Sequence, residues 1–99
     1  MNYRFHRAAL AEHLDEVAFY ESRLSGLGAD YLAEFDAVMA RIYATPDFYP
    51  RIDGSDLCKG GLKRFPFHVI YRAEPVQIVI LAIAHQRRRP AYWVGRIGK

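Results

Sequence analysis

The feature that most constrains the fold is a pair of strand-like segments in the second half of the chain, separated by only three residues. Residues 67–72 are rich in β-branched and aromatic side chains, and residues 76–84 form an almost unbroken apolar run. Both compositions are typical of β-strands. Pro75, between them, has no backbone N–H to give to a strand ladder. Because parallel neighbours need a long crossover, a connection this short predicts an antiparallel hairpin.

The first half of the chain carries two stripes of apolar residues at helical spacing. The first stripe predicts a helix that begins near His6-Arg7, with Glu12 on its solvent side. Its members are Leu10, Leu14, Val17, Tyr20 and Leu24. The second predicts a helix that ends at Thr45-Pro46, since the residue before a proline avoids the helical region. Its members are Tyr31, Leu32, Phe35, Val38, Met39 and Ile42. The short break at residues 25–28 makes the two helices an antiparallel hairpin.

Two further segments complete the predicted fold. Residues 2–5 alternate polar and apolar side chains and indicate a first strand, and residues 57–64 indicate another. Within the latter, Gly60-Gly61 indicates either a bulge or a close backbone approach. The order is strand, helix, helix and a three-strand antiparallel meander. It predicts an α+β fold with the helical hairpin on one face of a four-stranded sheet. At this length we expect a single domain over residues 1–99.

Composition excludes several kinds of site. A single cysteine, Cys58, excludes an internal disulfide and a multi-cysteine metal site. The histidines at positions 6, 13, 68 and 85 have no zinc-binding spacing, and no glycine-rich phosphate loop is present. We therefore expect neither a metal nor a cofactor. Charged residues occur throughout the first twenty positions, so we expect no signal peptide, no membrane span and a cytoplasmic location.

The two halves of the chain differ in charge. Residues 1–50 hold four Lys or Arg against eight Asp or Glu, and residues 51–99 hold ten against three. A basic half displayed on one face suggests an acidic partner, either a nucleic acid or an acidic protein surface. The alternative is that these basic residues only keep the domain soluble.

Strand alternation places a group of basic residues on the sheet face away from the helices. His68 and Arg72 point to that face from the first strand of the hairpin. Lys59 and Lys63 share it on the neighbouring strand if the glycine pair keeps the register. We take this face, rimmed by residues 85–96, as the candidate site.

These side chains fit cleavage of RNA by its own 2′-hydroxyl, which needs a base, an acid and cations around the phosphorane. His68 and His85 titrate near neutrality and are the candidate acid–base pair. The candidate cations and base-stacking residues are Lys59, Arg72, Arg87, Arg88, Arg89, Tyr92 and Trp93. Each has a structural alternative, because histidines commonly end strands, an arginine run is usually solvated, and a lone tryptophan commonly folds a tail onto a sheet.

The order of these segments resembles a known family. A helical hairpin precedes Phe-Pro-Phe-His-Val-Ile-Tyr-Arg at residues 65–72, an apolar strand that closes in Ala-His, and Arg-Arg-Pro-Ala-Tyr-Trp with a trailing arginine. This order resembles the RelE/ParE toxin superfamily, and most nearly its ParE-like, plasmid stabilisation branch. The resemblance implies the toxin of a type II toxin–antitoxin pair, neutralised by a cognate antitoxin. Antitoxins of this kind lay a helix or strand across apolar grooves, and Phe19 and Tyr43 are the candidate contacts.

The two branches of that superfamily imply different targets. ParE-like members are associated with inhibition of DNA gyrase by binding, whereas RelE-like members cut mRNA on the ribosome. Lys59 and Tyr92 fall where RelE-like members keep a lysine and a tyrosine, but Gly61, His68 and Gln86 replace a lysine and two arginines. The resemblance therefore favours a toxin that binds its target and is not an enzyme. Its target-binding candidates are Lys63, His85, Arg87, Arg88, Arg89, Trp93 and Arg96. The alternative is a ribosome-dependent mRNA endonuclease with Lys59, His68, Arg72 and Tyr92 as catalytic residues. A third possibility is a degenerate member that is retained only as an antitoxin partner.

Overall fold

The computed structural model describes residues 2–98 and has the element order that the sequence predicts. The elements are β1 (Asn2–Phe5), α1 (Arg7–Arg23), α2 (Leu27–Ala44), β2 (Leu57–Gly61), β3 (Phe67–Ala73), β4 (Gln77–His85) and a 3-10 turn (Val94–Arg96). The strands lie in the order β1-β4-β3-β2, in which β2, β3 and β4 form an antiparallel meander and β1 is parallel to β4. The predicted α+β fold, with its C-terminal hairpin, is confirmed.

The helix α2 buries the stripe that the sequence predicts. Tyr31, Phe35 and Ile42 are at most 1% exposed. They pack in one cluster with residues of the sheet that point the same way, among them Val69, Tyr71, Ile78, Ile80 and Ile83. We call this cluster the helical-side core. Its apolar side chains come from both helices and from the sheet, so it is the main source of hydrophobic stabilisation.

The first two turns of the helix α1 bury a different face from the predicted one. Leu10, Leu14 and Leu24 are 42%, 57% and 65% exposed, whereas Ala9 and His13 are buried. In these turns the buried positions lie one residue before the predicted ones, which is a rotation of about 100° in a helix of 3.6 residues per turn. Val17 and Tyr20 pack against the helical-side core as predicted. The prediction is therefore wrong for the three leucines and confirmed for Val17 and Tyr20.

Polar groups at the sheet edge explain the rotation of α1. The rotation turns Glu12, predicted on the solvent side, toward β4, where it accepts the backbone N–H of Ile83 at 3.0 Å. A buried backbone donor without a partner is costly, whereas exposed leucines on a surface helix are tolerated. The spacing of apolar residues cannot predict that a backbone N–H on β4 needs an acceptor from α1.

The connection between the helices is a tight turn held by one carboxylate. Gly26 adopts a φ of 91°, which glycine tolerates and other residues rarely do. Glu21 accepts hydrogen bonds from the backbone N–H groups of Gly26 and Gly28 at 3.0–3.1 Å. The two glycines of the break predict two unusual dihedrals; this is confirmed at Gly26 and wrong at Gly28, which lies within α2.

The sheet face away from the helices is covered at its centre. Its cluster, which we call the tail-side cluster, contains Leu57, Ile70, Leu81, Ala82, Ala84 and Trp93. Trp93 is only 7% exposed, so it folds the C-terminal segment onto the sheet. The expectation of an open face is therefore wrong, and the structural alternative for Trp93 is correct. What remains open is a cleft at one end of this face.

Two irregularities adjust the sheet. Pairing between β3 and β4 shifts by one residue after Ile70, so that Leu81 and Ala82 both join the tail-side cluster. The β2–β3 register is continuous through Gly60, where a Cβ atom would lie 3.0 Å from the ring of Tyr49. Of the two readings of Gly60-Gly61, the close approach is the correct one.

Candidate functional site

A cleft of about 320 Å³ lies between the end of the sheet and the C-terminal segment. The cationic and titratable side chains that line it are Lys59, His68, His85, Arg88 and Arg89. Its apolar walls include Ile70, Ala84 and Trp93, and no carboxylate side chain belongs to the described residues that line it. We call it the basic cleft. Low-dielectric walls with charges of one sign favour an anionic ligand.

His68, the second residue of β3, contributes an imidazole to the lining of the basic cleft. Burial disfavours its charged form and Lys59 repels it, so the pKa of His68 is lowered from its ordinary value. The imidazole is therefore mainly neutral near pH 7, the state in which it can accept a proton or a hydrogen bond.

His85 and Arg88 are oriented by contacts within the turn that follows β4. The backbone N–H of Arg87 donates to Nδ1 of His85 at 2.9 Å, which leaves the ring proton on Nε2 in the neutral form. The guanidinium of Arg88 lies 3.9 Å from the centroid of the Tyr92 ring. This cation–π contact places Arg88 on the rim of the cleft. Arg87 is exposed beside it and does not line the cleft.

A half-buried polar network lies behind the cleft and joins α1 to the C-terminal segment. The carboxylate of Glu12 accepts hydrogen bonds from both terminal nitrogens of Arg96 at 2.9 Å, and from the Tyr92 hydroxyl at 2.8 Å. Burial raises the pKa of Glu12, but hydrogen bonds from Arg96, Tyr92 and the Ile83 N–H outweigh it, so the pKa is lowered overall. The network therefore holds a carboxylate anion at neutral pH.

This network changes what two of the predicted site residues can do. Burial and the hydrogen bond to Glu12 raise the pKa of Tyr92 far above its usual range. Arg96 is committed to Glu12 and to the carbonyl oxygen of Leu81, at 2.9 Å. Tyr92 presents its ring to the cleft and its hydroxyl to Glu12, and Arg96 does not line the cleft.

Two other predicted residues lie away from the cleft. Arg72 is four residues from His68 along β3, and its Nε is 3.8 Å from Glu74 and 4.0 Å from Asp56. Lys63 follows the end of β2 at Gly61, and its backbone N–H donates to Glu34 of α2 at 2.8 Å. Because the strand ends early, Lys63 lines a groove beside α2 and not the face that strand parity predicts.

The predicted antitoxin contacts lie on the helical hairpin. Phe19 is 45% exposed, with the guanidinium of Arg23 4.9 Å from its ring centroid. Tyr43 is half-buried, and its ring centroid is 6.4 Å from that of Tyr3. The exposed leucines of α1 were missed as surface candidates because their helical spacing is the usual signal of burial.

Glu12 was also missed as part of the site. Its partner Arg96 is 84 positions away in sequence, and spacing within a helix carries no information about such a contact. The one sequence signal for this role is that Glu12 is adjacent to His13, a position that the helix buries.

Within residues 2–98, no group of three or more His, Cys, Asp or Glu side chains is placed to hold a metal ion. No helix of that part of the chain is long and apolar enough to cross a membrane.

Comparison with known proteins gives one line of evidence, and it concerns the fold. No protein-family model matches the chain, and a search of curated proteins finds no match. A chain from a structure described as "Chromosomal ParDE TA system from P. aeruginosa" aligns with a TM-score of 0.70 and 17% sequence identity. The alignment covers 86% of this chain and 95% of that chain. The fold of this protein is therefore the ParE-like fold of a solved toxin–antitoxin system.

Proposed function

We propose that this chain is the toxin component of a type II toxin–antitoxin pair, acting in the cytoplasm as a single domain and neutralised by a cognate antitoxin. The observation that carries the proposal is the fold that the chain shares with the ParDE structure over 86% of its length. A fold hosts more than one function, so the proposal also needs a site that suits it. The basic cleft is the proposed site for the target, and the exposed apolar side chains of the helical hairpin are the proposed site for the antitoxin.

The mode of action that we propose is binding to an essential target, DNA gyrase, without cleavage of RNA. The tyrosine of the candidate catalytic set is occupied, since the Tyr92 hydroxyl donates to Glu12 and its pKa is raised. Arg72, another member of that set, lies four strand residues from His68, about 13 Å at 3.3 Å per residue. The Arg72 guanidinium is held beside Glu74 and Asp56 and does not line the cleft, so it is not placed to share a phosphate with His68. Arg88 and Arg89 line the cleft and Arg87 is exposed beside it, and this group of arginines suits an anionic surface patch of a partner.

The antitoxin would cover the apolar surface of the helical hairpin. Leu10 and Leu14 lie one turn apart on α1, Leu24 follows its last residue, and Phe19 lies on another side. Exposed apolar groups of this kind mark surfaces for a partner, and an amphipathic helix is a partner that fits such a helical hairpin. Tyr43 remains a candidate at the far end of the hairpin.

An mRNA endonuclease is the second candidate, because the cleft does bring some of its parts together. Lys59, His68 and His85 line the same cavity, and His68 is neutral at the pH of a cell. Such a neutral imidazole next to a lysine can serve as a general base beside a cation. In this reading Arg88 replaces the distant Arg72.

Induced expression of the wild-type chain in a bacterial host separates the two candidates. We expect growth arrest with gyrase-dependent DNA breaks and no mRNA cuts. The variants Lys59→Ala and His68→Ala should arrest growth as the wild type does, whereas the double variant Arg88→Ala/Arg89→Ala should not. Arg7→Ala/Arg51→Ala removes two exposed arginines outside the cleft and is the matched control. Codon-positioned mRNA cuts that Lys59→Ala or His68→Ala abolishes would replace the gyrase proposal by the endonuclease.

A further inference from the structure

We propose that Glu12 is a positioning residue for target binding. Its carboxylate substitutes for a missing strand at the edge of β4, and so fixes Tyr92 and Arg96, and through Tyr92 the Arg88 rim of the basic cleft. The inference rests on the proposed function in one respect only, namely that this rim contacts the target.

β1 is too short to cover the whole edge of β4. It pairs with β4 only from Gln77 to Ile80, and the last backbone hydrogen bond runs from the His6 N–H to the Ile80 carbonyl at 2.8 Å. His6 then caps α1, where its Nδ1 accepts the Ala8 N–H at 3.1 Å, so the chain turns away from the sheet. β4 continues to His85 with one edge uncovered by any described strand.

Side chains of two distant segments make the hydrogen bonds that the open edge of β4 needs. Glu12 Oε1 accepts the N–H of Ile83 at 3.0 Å, and Arg96 Nη1 donates to the carbonyl of Leu81 at 2.9 Å. The Tyr92 hydroxyl lies 3.4 Å from the Ile83 carbonyl. An acceptor and a donor from two distant segments thus replace the hydrogen bonds that another residue pair of β1 would make.

The Glu12 carboxylate is surrounded by hydrogen-bond donors. Glu12 receives four donors on its two oxygens: the Ile83 N–H, the Tyr92 hydroxyl and the two terminal nitrogens of Arg96. An ionised carboxylate only accepts, so it suits four donors. A glutamine of the same shape offers one oxygen and an NH2 group, and that NH2 group would face donors of Tyr92 or Arg96. The site therefore requires the charge as well as the shape.

Tyr92 connects this network to the basic cleft. Trp93 anchors the C-terminal segment by apolar packing on Ile70 and its neighbours, but an apolar plug does not fix the direction of the residues beside it. Tyr92 is fixed by Glu12, and its ring supports the guanidinium of Arg88 at 3.9 Å. Loss of the carboxylate should therefore loosen Tyr92 and Arg88 while the helical-side core remains intact.

The single tryptophan of the chain makes this testable, because Trp93 lies next to Tyr92. The test compares Glu12→Gln with Glu16→Gln, a half-buried carboxylate one turn further along α1 that makes no side-chain hydrogen bond to the described C-terminal segment. We expect Glu12→Gln to keep its helical circular dichroism and to show at least a doubling of acrylamide quenching of Trp93 fluorescence. Glu16→Gln should be quenched as the wild type is. Equal quenching in the wild type and a folded Glu12→Gln overturns the inference.

A second pair of variants decides the matter if Glu12→Gln does not fold. Tyr92→Phe removes one of the four donors, and Arg96→Lys removes the bidentate geometry while keeping the charge. Both should raise Trp93 quenching, by less than loss of the carboxylate would. Quenching unchanged in both overturns the inference.

Target binding is measured separately, so that the two proposals fail in different ways. We expect Glu12→Gln to bind purified gyrase about 2-fold to about 30-fold more weakly than the wild type, the range expected of a residue that acts through others. Binding equal to the wild type, with Trp93 loosened, overturns the positioning role while the toxin proposal stands. A wild-type chain that neither binds gyrase nor arrests growth removes the proposed function, and Trp93 quenching still decides whether Glu12 holds the segment.

Discussion

The two faces of the sheet are closed in different ways. On the helical side, aromatic and aliphatic side chains of α1, α2 and three strands interdigitate in one large core, in which Tyr31, Phe35 and Ile42 are almost fully buried. The imidazole of His13, which is buried on this side, makes a hydrogen bond with the Tyr31 hydroxyl at 3.1 Å. Most of the cover on this face comes from two long helices, and of the described residues buried in this core only Tyr49 and Phe65 come from loops.

The tail side is closed by a short segment with two anchors. Trp93 supplies apolar cover, and Glu12 with Arg96 supplies a charged connection to α1. The basic cleft lies at the margin of this smaller cover. The protein therefore separates the face that holds the fold from the face that presents charge, and changes on the two faces should have unequal effects on stability.

The largest effect should come from neighbours on β4 that point to opposite faces. Ile80 belongs to the helical-side core and Leu81 to the tail-side cluster, and both are at most 1% exposed. We expect Ile80→Ala to lower the free energy of unfolding by about 4 kcal/mol and Leu81→Ala by about 2–3 kcal/mol. The tail segment can move into a cavity, whereas the layers above Ile80 cannot, and the cost depends on such collapse.

Urea unfolding followed by circular dichroism measures both values, with Ala82→Gly as a control for strand propensity on the tail side. Equal losses for Ile80→Ala and Leu81→Ala would show that the tail is as rigid as the helical layer, and would end the comparison.

A smaller effect should distinguish the two glycines of β2. A Cβ atom on Gly60 would lie 3.0 Å from the ring of Tyr49, which is part of the helical-side core. On Gly61 it would lie 3.3 Å from Cδ2 of His68 at the basic cleft. We expect Gly60→Ala to cost about 1–3 kcal/mol, as overpacking does, and Gly61→Ala less than about 1 kcal/mol, because His68 can turn. Thermal and urea unfolding check both, and a Gly61→Ala variant less stable than Gly60→Ala would contradict the assignment of the faces.

Much of the helical face could be predicted from sequence, because local rules decide it. The stripe from Tyr31 to Ile42 follows helical spacing, and Pro46 marks where α2 stops. The hairpin of β3 and β4 follows from a connection too short for anything else. Strand β4 was predicted at residues 76–84 and lies at Gln77–His85, a difference of one residue at each end.

The tail face could not be predicted in the same way, because long-range hydrogen bonds decide it. Glu12 was placed on the solvent side, since nothing in its helix announces an unpaired N–H on β4. Lys63 was predicted on the cleft side because the strand was expected to continue to residue 64. β2 ends at Gly61 instead, and the N–H of Leu62 donates to the Phe67 carbonyl at 3.0 Å. The turn that follows is fixed by Glu34, which accepts the N–H groups of Lys63 and Arg64. Parity arguments hold only as far as the strand does.

The smallest effect is on pH dependence, and it again contrasts the two faces. Burial lowers the pKa of His13, partly offset by Asp36, and burial with Lys59 lowers that of His68. In both cases the unfolded chain binds its proton at a higher pH than the folded chain. The contribution of these two histidines to the free energy of unfolding is therefore level above the ordinary pKa of about 6.5, and it falls as the pH falls below that value.

His13 should account for more of this loss than His68, because it is buried among aromatic rings whereas His68 is partly open to the cleft. Asp36 on α2 is the acidic group that acts on it. The measurement is the urea midpoint at about pH 7.5 and about pH 5 for the wild type, His13→Gln and His68→Gln. We expect the acid-induced decrease to be reduced most in His13→Gln. A larger reduction in His68→Gln would mean that the cleft, and not the helical-side core, sets the response of this fold to acid.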